Sequence, residues 1–323
     1  MTLTIGIFPA SGGLGTSTYT HLLKLVPNNT VVLVNRYPEK VPQSYIDAGV
    51  RVRKASYEST PSELNAAFSD IDVLFLISYP SHVHDYRTKA STIVHIRAVD
   101  AAKSAGVTHI FYSSLGFAGD YQSTSLAEVM QAHLDTERYL AKLADEDNSS
   151  PLTYISIREG LYAESTPIYT AFFDPRQPKT LHNGEICIPH DGSGPGVAWV
   201  KRDELGEASA RLIASYAKDK SEFPFKNHTV LLTGSRAWSL SETVQVLAGI
   251  AGRELKIREV SVDEYAKLPR VRECFGSEEL ARTWATAWDA IRAGETAVVT
   301  PELEGILGRK SEAFEVAVRE HFA

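Results

Sequence analysis

Three groups of residues in this sequence could do chemistry. The first is Pro9-Ala10-Ser11-Gly12-Gly13-Leu14-Gly15-Thr16. A glycine turn between an apolar run and a helix points free backbone N–H groups, and the positive end of the helix dipole, at a phosphate. Ala10, Ser11, Gly12 and Leu14 would form the cradle. Gly12 would let the backbone approach a diphosphate, and Gly15 would let the helix pack closely on the strand. The spacing is a G-x-x-G-x-x-G variant with Pro9 in the first position, not G-x-G-x-x-G.

The second group is Asn35-Arg36, at the end of the next apolar run, with Arg36 21 positions after Gly15. An acid at this point would accept from a ribose 2′-hydroxyl, whereas an arginine pairs with a 2′-phosphate. No acid follows until Glu39, and Lys40 comes next. The reading is NADP(H) rather than NAD(H). The alternative is a solvated loop arginine.

The third group is scattered. Ser78-Tyr79-Pro80 follows an apolar run and should border the nicotinamide half, because ligands of doubly wound sheets sit at the carboxyl ends of strands. His82 and His84, two apart in a loop with no third ligand, predict no metal. Ser113-Ser114 ends another strand, where the hydroxyls either polarise a carbonyl or cap the strand. His133 and Glu137 fall on one face of a helix with Leu126, Met130 and Leu140, at the i, i+4 spacing that lets the pair touch. A buried histidine needs a partner, so His133 is either satisfied by Glu137 or contacts cofactor or substrate. Glu159 lies beyond a later strand and is placed with the cofactor residues. Tyr121, Tyr162, His82 and His84 are further candidate acids.

The elements that must hold these groups alternate. Strands are expected over residues 3–8, 30–35, 50–52, 72–78, 108–112, 152–158, 185–188, 229–233 and 255–260. Helices are expected over 13–26, 61–68, 92–105, 125–145, 203–216 and 239–251, with helices to the end. In the helix at 92–105, Ile93, Ile96, Ala101 and Ala105 should face the sheet. Thr60-Pro61-Ser62-Glu63, Ser125-Leu126-Ala127-Glu128 and Ser239-Leu240-Ser241-Glu242 read as capping boxes. Apolar strands alternating with helices imply a Rossmann-type, doubly wound parallel α/β sheet. A smaller mixed C-terminal lobe completes it. Residues 1–160 and 197–235 would bind NAD(P), and 161–196 and 236–323 the substrate.

The 323 residues carry a net charge of −7 and no long basic run, which argues against a nucleic-acid surface. Cys187 and Cys274 show no metal spacing and read as reduced thiols, so the expected location is cytoplasmic. No apolar stretch approaches a membrane span, and residues 1–8 carry no basic leader. The expected partner is a small-molecule substrate, and the expected state a monomer or homodimer.

The turn 9–15 resembles the glycine motif of NmrA-like proteins, which are atypical short-chain dehydrogenase/reductases. So do Ala101-Ala102-Lys103-Ser104-Ala105-Gly106-Val107 leading to Tyr112-Ser113-Ser114, the segment 152–160, and Gly305-Ile306-Leu307-Gly308-Arg309-Lys310 followed by Phe314. The resemblance covers nearly the whole chain and implies a Rossmann domain that binds NADP(H) under a smaller lobe. It also implies quinone, ketone or enone reduction, or cofactor-binding regulation without catalysis. It places Ser113-Ser114 where short-chain dehydrogenases keep a carbonyl-polarising serine. Two departures matter. Pro9 replaces the first glycine, and the family's Tyr-x-x-x-Lys pair falls on Val129 and His133, so the tyrosine acid is absent. Histidine at this position can hydrogen-bond a ribose or donate a proton. The leading expectation is an NADP(H)-dependent reductase of a small carbonyl, enone or quinone-like substrate. The alternatives are a redox-sensing regulator, required by linkage to bind its partner differently with NADPH and NADP+, and a non-redox isomerase or dehydratase.

Overall fold

A computed structural model describes residues 2–79, 88–146, 152–177 and 181–323. Pro80, His82 and His84 lie outside the described residues. The chain runs β1 (Ile5–Phe8), α1 (Gly12–Leu22), β2 (Val31–Asn35), α2 (Gln43–Asp47), β3 (Arg51–Lys54), α3 (Pro61–Phe68), β4 (Val73–Ile77), α4 (Thr88–Ser104), β5 (His109–Leu115), α5 (Glu128–Glu146) and β6 (Thr153–Glu159). Then come α6 (Thr166–Tyr169), β7 (Glu185–Ile188), α7 (Arg202–Lys218), β8 (His228–Leu232), α8 (Leu240–Ala251) and β9 (Lys256–Glu259). The helices α9 (Val262–Ala266), α10 (Pro269–Phe275), α11 (Glu278–Arg292), α12 (Glu302–Leu307) and α13 (Phe314–Phe322) finish the chain.

Seven strands form one parallel sheet in the order β3-β2-β1-β4-β5-β6-β8. The order reverses between β1 and β4, the switch point at which doubly wound sheets open a crevice. Every residue of β1, β2 and β4 is buried, as continuous β-branched and aliphatic runs require when helices cover both faces. Alternation sorts the side chains onto two faces. Ile5, Ile7, Phe111 and Ile157 pack with Leu205 and Leu212 of α7, while Leu74, Tyr112 and Tyr154 pack with α3, α4 and α5. A third core gathers Trp199, Tyr265, Trp284, Trp288 and Phe314 around the two-stranded parallel sheet β7-β9.

The capping boxes at Thr60 and Ser239 form with both reciprocal hydrogen bonds. The one expected at Ser125 does not. Its hydroxyl donates to Glu295 Oε2 at 2.5 Å, and the Glu128 N–H donates to Thr286 at 2.9 Å, so distant partners replace the local box. Consequently Leu126 lies outside α5 and is 56% exposed, not on the buried stripe. Ile93 is likewise exposed. Ala101 and Ala105 pack on the core as expected, and the buried face of α4 also carries His95, Ala98, Val99 and Ala102. β5 extends through Leu115, so Ser113 and Ser114 belong to the strand and point to opposite faces of the sheet.

Candidate active site

The glycine turn sits where β1 gives way to α1. Ser11 is the N-cap, its side chain makes no capping hydrogen bond, and the first turn of α1 carries no acid. The orphan N–H groups are therefore available to an anion. Gly12 has φ +71°, a backbone that an L side chain rarely adopts, and a Cβ on Gly15 would come 2.8 Å from the Pro9 carbonyl. Ala10 and Leu14 are buried beneath the turn. Asn35 is buried too. Its Nδ2 donates to the Ala10 carbonyl at 3.1 Å, and its Oδ1 accepts from the Tyr37 N–H at 3.2 Å. It thus ties the turn to the end of β2 through its own polar atoms.

Arg36 is exposed and paired. It pairs with Glu58, which also accepts from the Tyr79 hydroxyl at 2.8 Å. The guanidinium holds the Glu58 carboxyl down to about 2. Burial and Glu58 together push Tyr79 up to about 12.

A cavity of about 330 Å³ opens at the carboxyl ends of β4, β5 and β6. Ser78, Tyr79, Ser113, Ser114, His133 and Tyr162 reach it on the sheet side, and Ile168, Tyr169 and Trp284 wall the far side. Two hydrogen-bonded networks, one from each face of the sheet, converge here. On the α5 face, Arg158 grips Glu137 through Nε at 3.0 Å and Nη2 at 2.7 Å, and Ser114 Oγ donates to Glu137 at 2.6 Å. Beside this pair, the Tyr112 hydroxyl meets His133 Nδ1 at 3.2 Å. Of the two readings of His133, satisfaction by Glu137 does not hold. The two share a helical stripe, but each meets a different strand side chain first. Burial, then Arg158, lowers the His133 imidazole to about 4, so it is neutral at pH 7.

On the opposite face, the Tyr162 hydroxyl donates to Glu159 Oε2 at 2.6 Å. Burial raises the Glu159 carboxyl to about 7, against hydrogen bonds from Tyr162 and Ser113 that lower it. Glu159 Oε1 is buried without a partner. Ser114 is thus engaged by Glu137, while Ser113 lies on the side of Glu159. Tyr121 is not brought to the cavity. Its hydroxyl accepts from the Leu231 N–H of the edge strand β8 at 3.1 Å. Val129 lines the cavity one helical turn before His133.

Sequence reasoning missed Arg202, which lines the same cavity. Its guanidinium lies 6.0 Å from the Tyr162 ring centre, and a Cβ on Gly13 would come within 2.2 Å of its Nε. It therefore bridges the glycine turn and the cavity. The signal was an arginine at the first position of a helix, where the dipole disfavours a cation. Glu164 offsets this by accepting from the Arg202 N–H at 3.1 Å.

Among the described residues no cluster of three or more His, Cys, Asp or Glu side chains could hold a metal ion, and no helix is long and apolar enough to cross a membrane. Cys187 and Cys274 are free.

A family described as NAD(P)H-binding matches residues 10–186. An NmrA-like family domain-containing oxidoreductase of Aspergillus flavus is 31% identical over 301 residues, covering 93% of this chain and 89% of that one. Quinone oxidoreductase 2 of Escherichia coli is 30% identical over 262 residues, covering 81% and 79%. Its structure with NADPH aligns at a TM-score of 0.77 over 99% of this chain and all of that one. A Citrobacter triphenylmethane reductase complexed with NADP(H) aligns at 0.74, with 26% identity, over 99% and 100%.

Proposed function

We propose that this chain, which belongs to the NAD(P)H-binding, NmrA-like family of atypical short-chain dehydrogenase/reductases and is an NAD(P)H-dependent oxidoreductase, prefers NADPH and reduces a flat conjugated carbonyl such as a quinone or enone. The observation that carries the reading is the cavity itself. Arg202, which abuts the glycine turn at Gly13, lines it, an aromatic wall bounds its far side, and the polar groups facing that wall come from the carboxyl edge of the sheet. The similarity to a quinone oxidoreductase supports a quinone-like substrate, and that to a triphenylmethane reductase supports reduction of a flat conjugated molecule.

The residues present fit a dinucleotide. The uncapped start of α1 would hold the diphosphate, with Arg202 at its cavity end, and Arg36 would take a 2′-phosphate from the position it now shares with Glu58. Ser78 and Tyr79 would border the nicotinamide. When bound, NADPH supplies a hydride. Reduction of one carbonyl also requires one proton, which Tyr162 would deliver. Below about pH 7 Glu159 carries its own proton and can donate to the phenol oxygen, which leaves the Tyr162 O–H to face the substrate. His133, neutral at this pH, donates a hydrogen bond without surrendering its proton. Segments 161–196 and 236–323 supply the aromatic wall through Ile168, Tyr169 and Trp284.

Mixing the purified protein with NADPH and a panel of quinones and enones tests this reading. Coenzyme oxidation is expected with at least one class. Bound NADPH with no turnover across the panel removes it. The coenzyme preference has its own test. Arg36→Ala should weaken NADPH by about ten- to a hundredfold, the worth of one charge-assisted hydrogen bond, and leave NADH unchanged. Equal losses for both coenzymes would refute the assignment of Arg36.

A further inference from the structure

What His133 can do depends on which ring nitrogen carries its proton, and the groups behind it decide that. The Tyr79 backbone N–H donates to His95 Nε2 at 2.8 Å. A neutral imidazole that accepts at Nε2 carries its proton on Nδ1. Burial, then the nearby His133, lowers His95 to about 3, so it is neutral at pH 7. His95 Nδ1 therefore donates, and it lies 3.1 Å from Thr136 Oγ1 and 3.3 Å from the Tyr112 hydroxyl. Thr136 directs its own proton to the Ala132 carbonyl at 2.7 Å, so it is free to accept from His95. The Tyr112 hydroxyl cannot donate to a nitrogen that already holds hydrogen. It also touches Thr136, whose oxygen already accepts from His95, so the open acceptor is His133 Nδ1 at 3.2 Å. Tyr112 thus donates to His133, whose lone pair lies on Nδ1 and whose proton lies on Nε2.

We infer that the Tyr79 amide, acting through His95 and Tyr112, sets the Nε2–H tautomer of His133 and makes it a neutral hydrogen-bond donor to a carbonyl oxygen in the cavity. His95 and Tyr112 are positioning residues, remote from the substrate. The Nε2–H stands ready where charge develops on that oxygen as hydride arrives, and a fixed neutral donor needs no reorganisation at that moment. A freely tautomerising imidazole would present a lone pair to the same oxygen for part of the time. The assignment of that oxygen to a substrate carbonyl rests on the function proposed above, whereas the tautomer does not.

The chain has ten histidines, and imidazole 15N spectra of labelled protein resolve their tautomers. His133→Gln identifies the His133 signals by deleting them. The wild type at pH 7, with and without NADPH, should show His133 protonated at Nε2 alone. Tyr112→Phe should release the tautomer to a mixture and lower kcat by about five- to tenfold, the worth of one neutral hydrogen bond, with little change in KM. His95→Gln can still accept from Tyr79 and donate towards Tyr112, so it should retain both properties, whereas His95→Leu should lose both. A wild-type His133 protonated at Nδ1, or a tautomer unchanged in Tyr112→Phe, overturns the inference. Should a variant fail to fold, the wild-type spectrum alone decides. A protein that reduces no quinone or enone but shows the Nε2–H tautomer refutes the substrate and leaves the tautomer standing.

Discussion

Glu137→Ala should cost about 3–5 kcal/mol of folding stability. The reason is less the lost attraction than the charge left behind. Arg158 is 4% exposed, near the carboxyl end of β6, and Glu137 is its bidentate partner at 3.0 and 2.7 Å. Without that carboxylate the guanidinium keeps its charge in a dry site, with Nη1 already buried and unpartnered. Ser114 loses its acceptor in the same step. Replacing both charges tests the cause. Glu137→Leu with Arg158→Met exchanges the pair for apolar volume and should recover most of the loss, because a buried pair adds little over well-packed hydrophobic residues. Urea unfolding of the two single variants and the double variant measures this. A double variant as unstable as Glu137→Ala would mean that the pair contributes net stability, not that an orphaned charge destroys it.

This pair also shows where sequence reading stops. The sheet was legible because β1, β2 and β4 are apolar on both faces, and the turn was legible because Gly12 and Gly15 answer to local backbone demands. The boxes at Thr60 and Ser239 hold between partners three residues apart, whereas at Ser125, equally close to Glu128, Glu295 and Thr286 take the local partners' places. The polar networks have no such locality. His133 and Glu137 obey the i, i+4 rule on paper. Yet α5 lies across β5 and β6, and Tyr112 and Arg158 from those strands reach the two side chains first. Arg36 looked unpaired because Glu58 arrives from beyond β3. His95 was invisible as a functional residue, since its partner is a backbone amide 16 residues away. Tyr121 was a reasonable acid by type alone, and only the path of the chain carries it to the edge strand.

Tyr162→Phe should lower kcat by about 10²- to 10⁴-fold, the usual worth of a positioned general acid, and leave coenzyme affinity unchanged. The substitution removes one oxygen and keeps the ring against which Arg202 lies, so the cavity retains its shape. The pH dependence distinguishes proton delivery from packing. Glu159 is raised by burial to about 7, and the form that can pass a proton to Tyr162 is the acid. The rate should therefore be full below that value and fall as pH rises through it, opposite to the profile of a carboxylate acting as base. Glu159→Gln keeps the shape and a donor to the phenol oxygen but holds no transferable proton, so it should lower kcat and abolish the limb near pH 7. Solvent deuterium should slow the wild type more than Tyr162→Phe. A Tyr162→Phe enzyme that keeps the wild-type rate, or a Glu159→Gln enzyme that keeps the pH limb, would move the proton source elsewhere in the cavity. The neutral His133 imidazole would then have to give up a proton that its surroundings hold tightly, and the two networks that meet at the sheet edge would exchange roles.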